Sequence, residues 1–218
     1  MSREREEIRN LMESVVAMAD EVGRFLRSSA EAFITGDTKP LGHLYEKDKE
    51  IDRMENAIDA RCLRILALYQ PAADDLRTVF MALKINNDLE RIGDHALNIA
   101  ERAVEVCNSP TPEFTEVFNR MTELNLGMLG DAITAFVARD TALAKNVLTR
   151  DDEADDLFRH VVTGVIGKQW NDRPEREAAV ALVFAAKEFE RIADLCTNIA
   201  EDVVFMAEGT LLKHEGQM

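Results

Sequence analysis

The sequence predicts an all-α protein made of two tandem antiparallel three-helix bundles related by an internal repeat. Three observations predict it. Apolar residues recur at spacings of three and four, with no stretch showing the strict alternation of a strand. Helix breakers fall only at a few widely spaced points. The second half of the chain also repeats the first.

The repeat can be followed element by element. Phe33-Ile-Thr-Gly-Asp37-Thr38 aligns with Phe136-Val-Ala-Arg-Asp140-Thr141, and Asp48-Lys-Glu50-Ile-Asp52 aligns with Asp151-Asp-Glu153-Ala-Asp155. Further on, Glu90-Arg-Ile-Gly-Asp94 matches Glu190-Arg-Ile-Ala-Asp194, and Asn98-Ile-Ala-Glu101 matches Asn198-Ile-Ala-Glu201. The register slips by three residues in between, which places a shortened hairpin or a helix one turn shorter in the second copy. The first helix of copy one buries Ile8, Leu11, Val15, Met18, Val22 and Phe25 on one face; Phe114, Val117, Met121, Leu124 and Met128 do the same in copy two. Asp37 and Asp140 stand where an N-cap belongs, each opening a second helix. Gln70-Pro71 and Asn171-Asp-Arg-Pro174 turn each second helix into a third. Helices of about 30 residues run roughly 45 Å. The Asn108–Pro112 segment divides the chain into repeats 1–107 and 108–218, with end-to-end stacking of the bundles as one arrangement.

Composition narrows the function. With 41 Asp and Glu against 26 Lys and Arg, the net charge is −15. That surface repels phosphate backbones and anionic headgroups, so nucleic acid and direct membrane insertion are discounted as partners. The longest apolar run, Ala178 to Ala186, is nine residues, and a membrane span needs about 20. The charged start MSREREEIRN is no signal peptide, and Cys62, Cys107 and Cys196 have neither disulfide-framework nor zinc-ligand spacing. A cytoplasmic location is expected.

Geometry draws the carboxylates together. On a helical wheel Glu90, Asp94, Asn98 and Glu101 fall on one side and Ile85, Ile92, Ile99 and Val106 on the other, so the acids form one exposed stripe away from the core. Glu190, Asp194, Asn198 and Glu201 repeat it. Asp48 and Asp52, like Asp151 and Asp155, are spaced one turn apart on the preceding helix. Asp52 with Glu90, and Asp48 with Asp94, are equidistant from Pro71, so antiparallel helices bring them level; Asp155 with Glu190, and Asp151 with Asp194, share a midpoint in the second turn. Each copy therefore gathers four carboxylates in two rungs, which repel one another unless cations neutralise them. Hard or intermediate cations such as Mg²⁺, Mn²⁺, Fe or Zn²⁺ accept such ligands, and the count does not choose among them. A solvated acidic face, with Arg91 and Arg191 pairing the acids, is the plainer reading.

Other chemistry is thin. None of His43, His95, His160 and His214 follows a Glu-x-x pattern, and no phosphate loop or nucleophile elbow occurs. Enzymatic activity is not expected.

Gln70-Pro71-Ala-Ala-Asp-Asp75-Leu76-Arg77 followed by Asp88-Leu-Glu90-Arg91-Ile-Gly93-Asp94-His-Ala-Leu-Asn98-Ile99-Ala100 resembles the signature of the PhoU family, over nearly the whole chain. The resemblance implies a negative regulator of phosphate uptake and the phosphate-starvation response. Such a protein connects the ATPase subunit of a phosphate ABC transporter to a sensor histidine kinase, and it forms a homodimer. It also implies metal ligands at Asp48, Asp52, Glu90 and Asp94, then Asp151, Asp155, Glu190 and Asp194. Gly93 becomes Ala193 and Asp75-Leu-Arg77 becomes Glu175-Arg-Glu177, so the second patch is the less typical. The alternatives are a metal-binding regulator of another ion transporter, or a metal store.

Overall fold

The computed structural model describes residues 3–208, and no strand occurs among them. Helix α1 spans Arg3–Thr35 and buries the predicted face from Ile8 to Phe25. It ends because Gly36 takes a left-handed φ of +64°, letting the Asp37 N–H reach Ala32 O at 3.0 Å. A side chain at Gly36 would put its Cβ 3.0 Å from the Cys107 Cα, so only glycine fits.

Helix α2 runs Leu41–Tyr69. Asp37 is not its N-cap, contrary to the sequence reading. Pro40 disfavours helical backbone at the residue before it, so the helix begins after Pro40, and Asp37 only accepts from the Lys39 N–H at 3.0 Å. Asp140 does cap its helix, accepting from the Ala142 and Leu143 N–H groups at 3.0 Å. Helix α3 spans Ala73–Glu101, and the short α4 covers Ala103–Val106. A 3-10 turn at Pro112–Phe114 opens the second repeat.

There α5 spans Thr115–Ala138 and ends in the same way as α1, with Arg139 at φ +53° where the first repeat has Gly36, and Asp140 N–H on Ala135 O at 2.9 Å. The single long second helix expected here is broken into α6, Thr141–Leu148, and α7, Asp151–Gly167. The backbone tightens at the break. The Arg150 N–H bonds Val147 O at 3.0 Å, three residues back, and the Thr149 hydroxyl donates to Asn146 O at 2.8 Å. Arg150 itself turns back to Asp131 on α5. Helix α8 spans Arg173–Glu208. The three-residue slip therefore resolves into a shorter helix before a slightly longer turn.

The bundles are not stacked end to end. Helices α1, α3, α8 and α5 close a ring of four, in which α3 packs along α8 and α1 along α5. Helix α2 lies on α1 and α3, and α6 and α7 lie on α8. Phe118 on α5 meets Phe33 of α1 edge-to-face at 4.9 Å and Phe189 of α8 at 6.0 Å, so one continuous core spans both repeats. The physical reason is surface. Each three-helix unit leaves an apolar face that only the other unit covers.

Candidate metal centres

Turning α2 into α3 through Gln70–Ala72 brings the two helices level, as the midpoint argument expects. Asn86 on α3 donates to Glu55 O at 3.0 Å and Asp59 Oδ1 at 2.8 Å on α2, and Tyr45 donates to Glu101 at 2.9 Å. Within this frame Asp48 faces Asp52, Asp94 and Glu101, and Glu90 faces Asp94, Glu55, Asp52 and Asp48. The four predicted carboxylates are near enough to repel one another, without three of them converging on one point. Sequence reasoning missed their neighbour Glu55, although it lies seven residues after Asp48 on the same helix face; Glu101 was placed on the stripe but not among the ligands.

The electrostatics show an unbalanced site. Partial burial, then the neighbouring carboxylates, push the Glu90 carboxyl up to about 7. Asp48 and Asp94 are raised for the same reasons. Arg91 does not neutralise them; its guanidinium lies 3.6 Å from Asp88. The stripe is also less exposed than the wheel suggests. Asp94 is open, but Glu90 and Glu101 are half-buried beside α2, and Asn98 against α8, where it meets Glu188.

The second quartet assembles likewise. Asp194 faces Glu190, Asp151 and Asp155 across α7 and α8, and its carboxyl is pushed up to about 6 by burial and these charges. Here a cation intervenes. Lys187 donates to Glu190 at 2.6 Å, while Arg191 lies 3.4 Å from Glu188. Glycine at the first motif is a packing choice. A Cβ at Gly93 would lie 3.4 Å from the Ile51 side chain, whereas the second repeat has Ala193 and, at the position of Ile51, the small Ala154.

Histidine also held a surprise. His95 Nδ1 lies 2.6 Å from Glu188 Oε2, joined by Asn98 at 3.3 Å, so α3 and α8 are tied across the repeats. Lys84 and Asp202 form a second tie along the same pair. His214 lies outside the described residues.

All-oxygen donor sets at matched height suit a hard cation, and the excess negative charge of the first patch is what such an ion would relieve. Among the described residues, no three of these side chains converge closely enough to grip one ion as they lie. The fit is therefore one of donor chemistry and helix register, and binding requires side chains to turn inward.

Fold and site together define a duplicated helical bundle carrying one carboxylate patch per repeat, with no described helix long and apolar enough to cross a membrane. The PhoU domain model matches the chain twice, over residues 15–103 and 118–203, and the chain belongs to the PhoU family. It is 35% identical over 209 residues to a phosphate-specific transport system accessory protein PhoU homolog of Aquifex aeolicus, covering 96% of this chain and 95% of that protein. The crystal structure of PhoU from Pseudomonas aeruginosa superposes with a TM-score of 0.88 at 30% identity, covering 94% of this chain and 99% of the other. The phosphate transport system regulatory protein PhoU from Streptococcus pneumoniae gives 0.89 at 26%, covering 97% and 100%.

Proposed function

We propose that this chain is a cytoplasmic negative regulator of phosphate uptake and the phosphate-starvation response, without enzymatic activity. It acts as an adaptor between the ATPase subunit of a phosphate ABC transporter and a sensor histidine kinase, and works as a homodimer. The observation that carries this reading is the pair of carboxylate quartets set level in both repeats, one of them raised to about 7 at Glu90 by burial and crowded acids. Asp48, Asp52, Glu90 and Asp94, with Asp151, Asp155, Glu190 and Asp194, hold divalent metal or iron there. Neutralised in this way, the patches stop repelling acidic partner surfaces, and docking becomes metal-dependent. The names of the relatives, accessory and regulatory proteins of phosphate transport, supply the system.

Two measurements test it. Elemental analysis of protein purified without chelator should find metal that Asp94→Ala with Asp194→Ala removes; equal content in both would sink the ligand assignment. In cells, Glu90→Gln with Asp94→Asn should derepress phosphate-starvation genes at high phosphate while leaving helicity and cooperative unfolding intact. A variant that still binds the transporter ATPase and represses like the parent would reduce the stripe to solvated surface.

A further inference from the structure

The outer side of the seam between α3 and α8 carries apolar surface that none of the described residues covers. The two helices run antiparallel, as the Lys84–Asp202 and His95–Glu188 ties show. Leu76 and Phe80 stand one turn apart on α3, on the helix face that continues through Lys84 and Arg91; Val180 and Phe184 stand likewise on α8, on the face of Glu188 and Arg191. All four are open, from 44% exposed for Leu76 to 56% for Phe184. Of the 10 phenylalanines, Phe80 and Phe184 are the ones left exposed. Because the helices are antiparallel, one apolar pair lies towards each end of the seam. Leu76 and Phe80 lie beyond the Lys84–Asp202 tie; Val180 and Phe184 lie beyond His95–Glu188, where the Arg102 guanidinium sits 5.9 Å over the Phe184 ring.

Charge singles this face out. The chain carries −15, so two copies repel one another across most of their surface. On the seam the charges cancel. Lys84 pairs with Asp202, Arg91 lies 3.6 Å from Asp88, and Arg191 lies 3.4 Å from Glu188. Asp94 and Asp194 border it on opposite sides, turned to α2 and α7. A strongly basic partner has little to hold here, whereas a second copy of the chain meets the least repulsion. The extent also fits. Two helices about 45 Å long and about 10 Å across present roughly 900 Å² side by side, and each member of a stable dimer gives up about 800 Å². Exposed aromatic side chains are what such interfaces concentrate.

We infer that the outer face of the α3–α8 seam is where a second copy of this chain docks, face to face, with Leu76, Phe80, Val180 and Phe184 as the apolar contacts. The inference rests on the homodimer reading above and names its surface. A two-fold contact asks a surface to complement itself. With an apolar pair towards each end and paired charges between, the seam brings apolar ends together whichever way the two-fold runs. Docking there sets the carboxylate patches of both copies along the margins of one interface.

Sedimentation equilibrium of the full chain in chelator tests this. The parent should be a dimer, and about 0.5 M sodium chloride should leave it intact, since the contact is apolar and its charges are already paired. Phe80→Glu with Phe184→Glu should raise the dimer Kd about a hundredfold. Leu63→Glu with Leu68→Glu, at exposed positions on α2, should leave it unchanged. Phe80→Ala with Phe184→Ala adds no charge and should raise Kd about tenfold, which serves if circular dichroism shows the glutamate pair to be misfolded. A parent that is monomeric throughout overturns the homodimer reading, and this surface with it. A parent dimer that both phenylalanine variants leave intact overturns the surface alone. Dissociation of the parent by salt does the same, because it moves the contact to charged groups. Variants that stay dimeric but no longer retain the transporter ATPase assign the face to that protein instead of a second copy.

Discussion

The two repeats solve one problem with different means. Both set four carboxylates level across a helical hairpin, yet the first leaves them facing one another while the second brings Lys187 to Glu190. The first hairpin is built on an unbroken α2 of 29 residues; the second replaces it with α6 and α7, broken at Thr149 and Arg150. Duplication kept the acids and let the scaffold drift. The first patch is therefore the stronger electrostatic trap, and the second the one tempered by its own chain.

The comparison presupposes that the repeats stand or fall together. Phe118→Ala tests this with the largest expected effect. The ring bridges Phe33 and Phe189, and its loss should cost about 3–5 kcal/mol. Unfolding by urea should remain a single transition. Two separated transitions would mean that the units are independent domains.

Next comes the acid imbalance, read in chelator. Glu90 binds its proton more tightly folded than unfolded, so its contribution to stability is complete below the usual glutamate range and lost as pH rises through about 7. Solvent screening holds the loss to roughly 1 kcal/mol. Glu90→Gln should abolish that decline, raising Tm at pH 8 but not at pH 4. Glu190→Gln should stabilise less, since it breaks the ion pair with Lys187 while relieving the repulsion on Asp194. If both substitutions stabilise equally, the patches do not differ.

Capping gives a third contrast. Asp140→Ala removes two backbone acceptor contacts at the start of α6 and should cost about 1 kcal/mol, whereas Asp37→Ala loses a single turn contact and should cost less, measured by denaturant midpoints.

The smallest effect concerns the left-handed cap at Arg139. Arg139→Gly relieves a positive φ but gives up the bond from Arg139 to Thr78 Oγ1 at 2.8 Å, so Tm should move by no more than a degree or two, roughly 0.5 kcal/mol. A large drop would make that bond a principal tie between α5 and α3.

Periodicity made α1 and the carboxylate rungs legible, because helical spacing and distance from a turn are both properties of the chain itself. Gly36 and Asp140 were equally plain as punctuation. What escaped depended on distant partners. Nothing near Thr149 signals a break, since Arg150 is drawn off by Asp131 on another helix. The pairing of His95 with Glu188 joins residues 93 apart. Side-by-side placement follows from apolar faces that each unit shares with the other, and a wheel drawn for one helix shows the face but not its cover.

That shared core has a consequence for synthesis. Helix α3 is complete about 100 residues before the part of α8 it packs against has been made. At roughly 5–20 residues per second, a ribosome leaves the apolar seam of the first repeat uncovered for about 5–20 s. The nascent first half is an unfinished surface for that interval, and a chaperone binding apolar segments should be found on it until the last helix emerges.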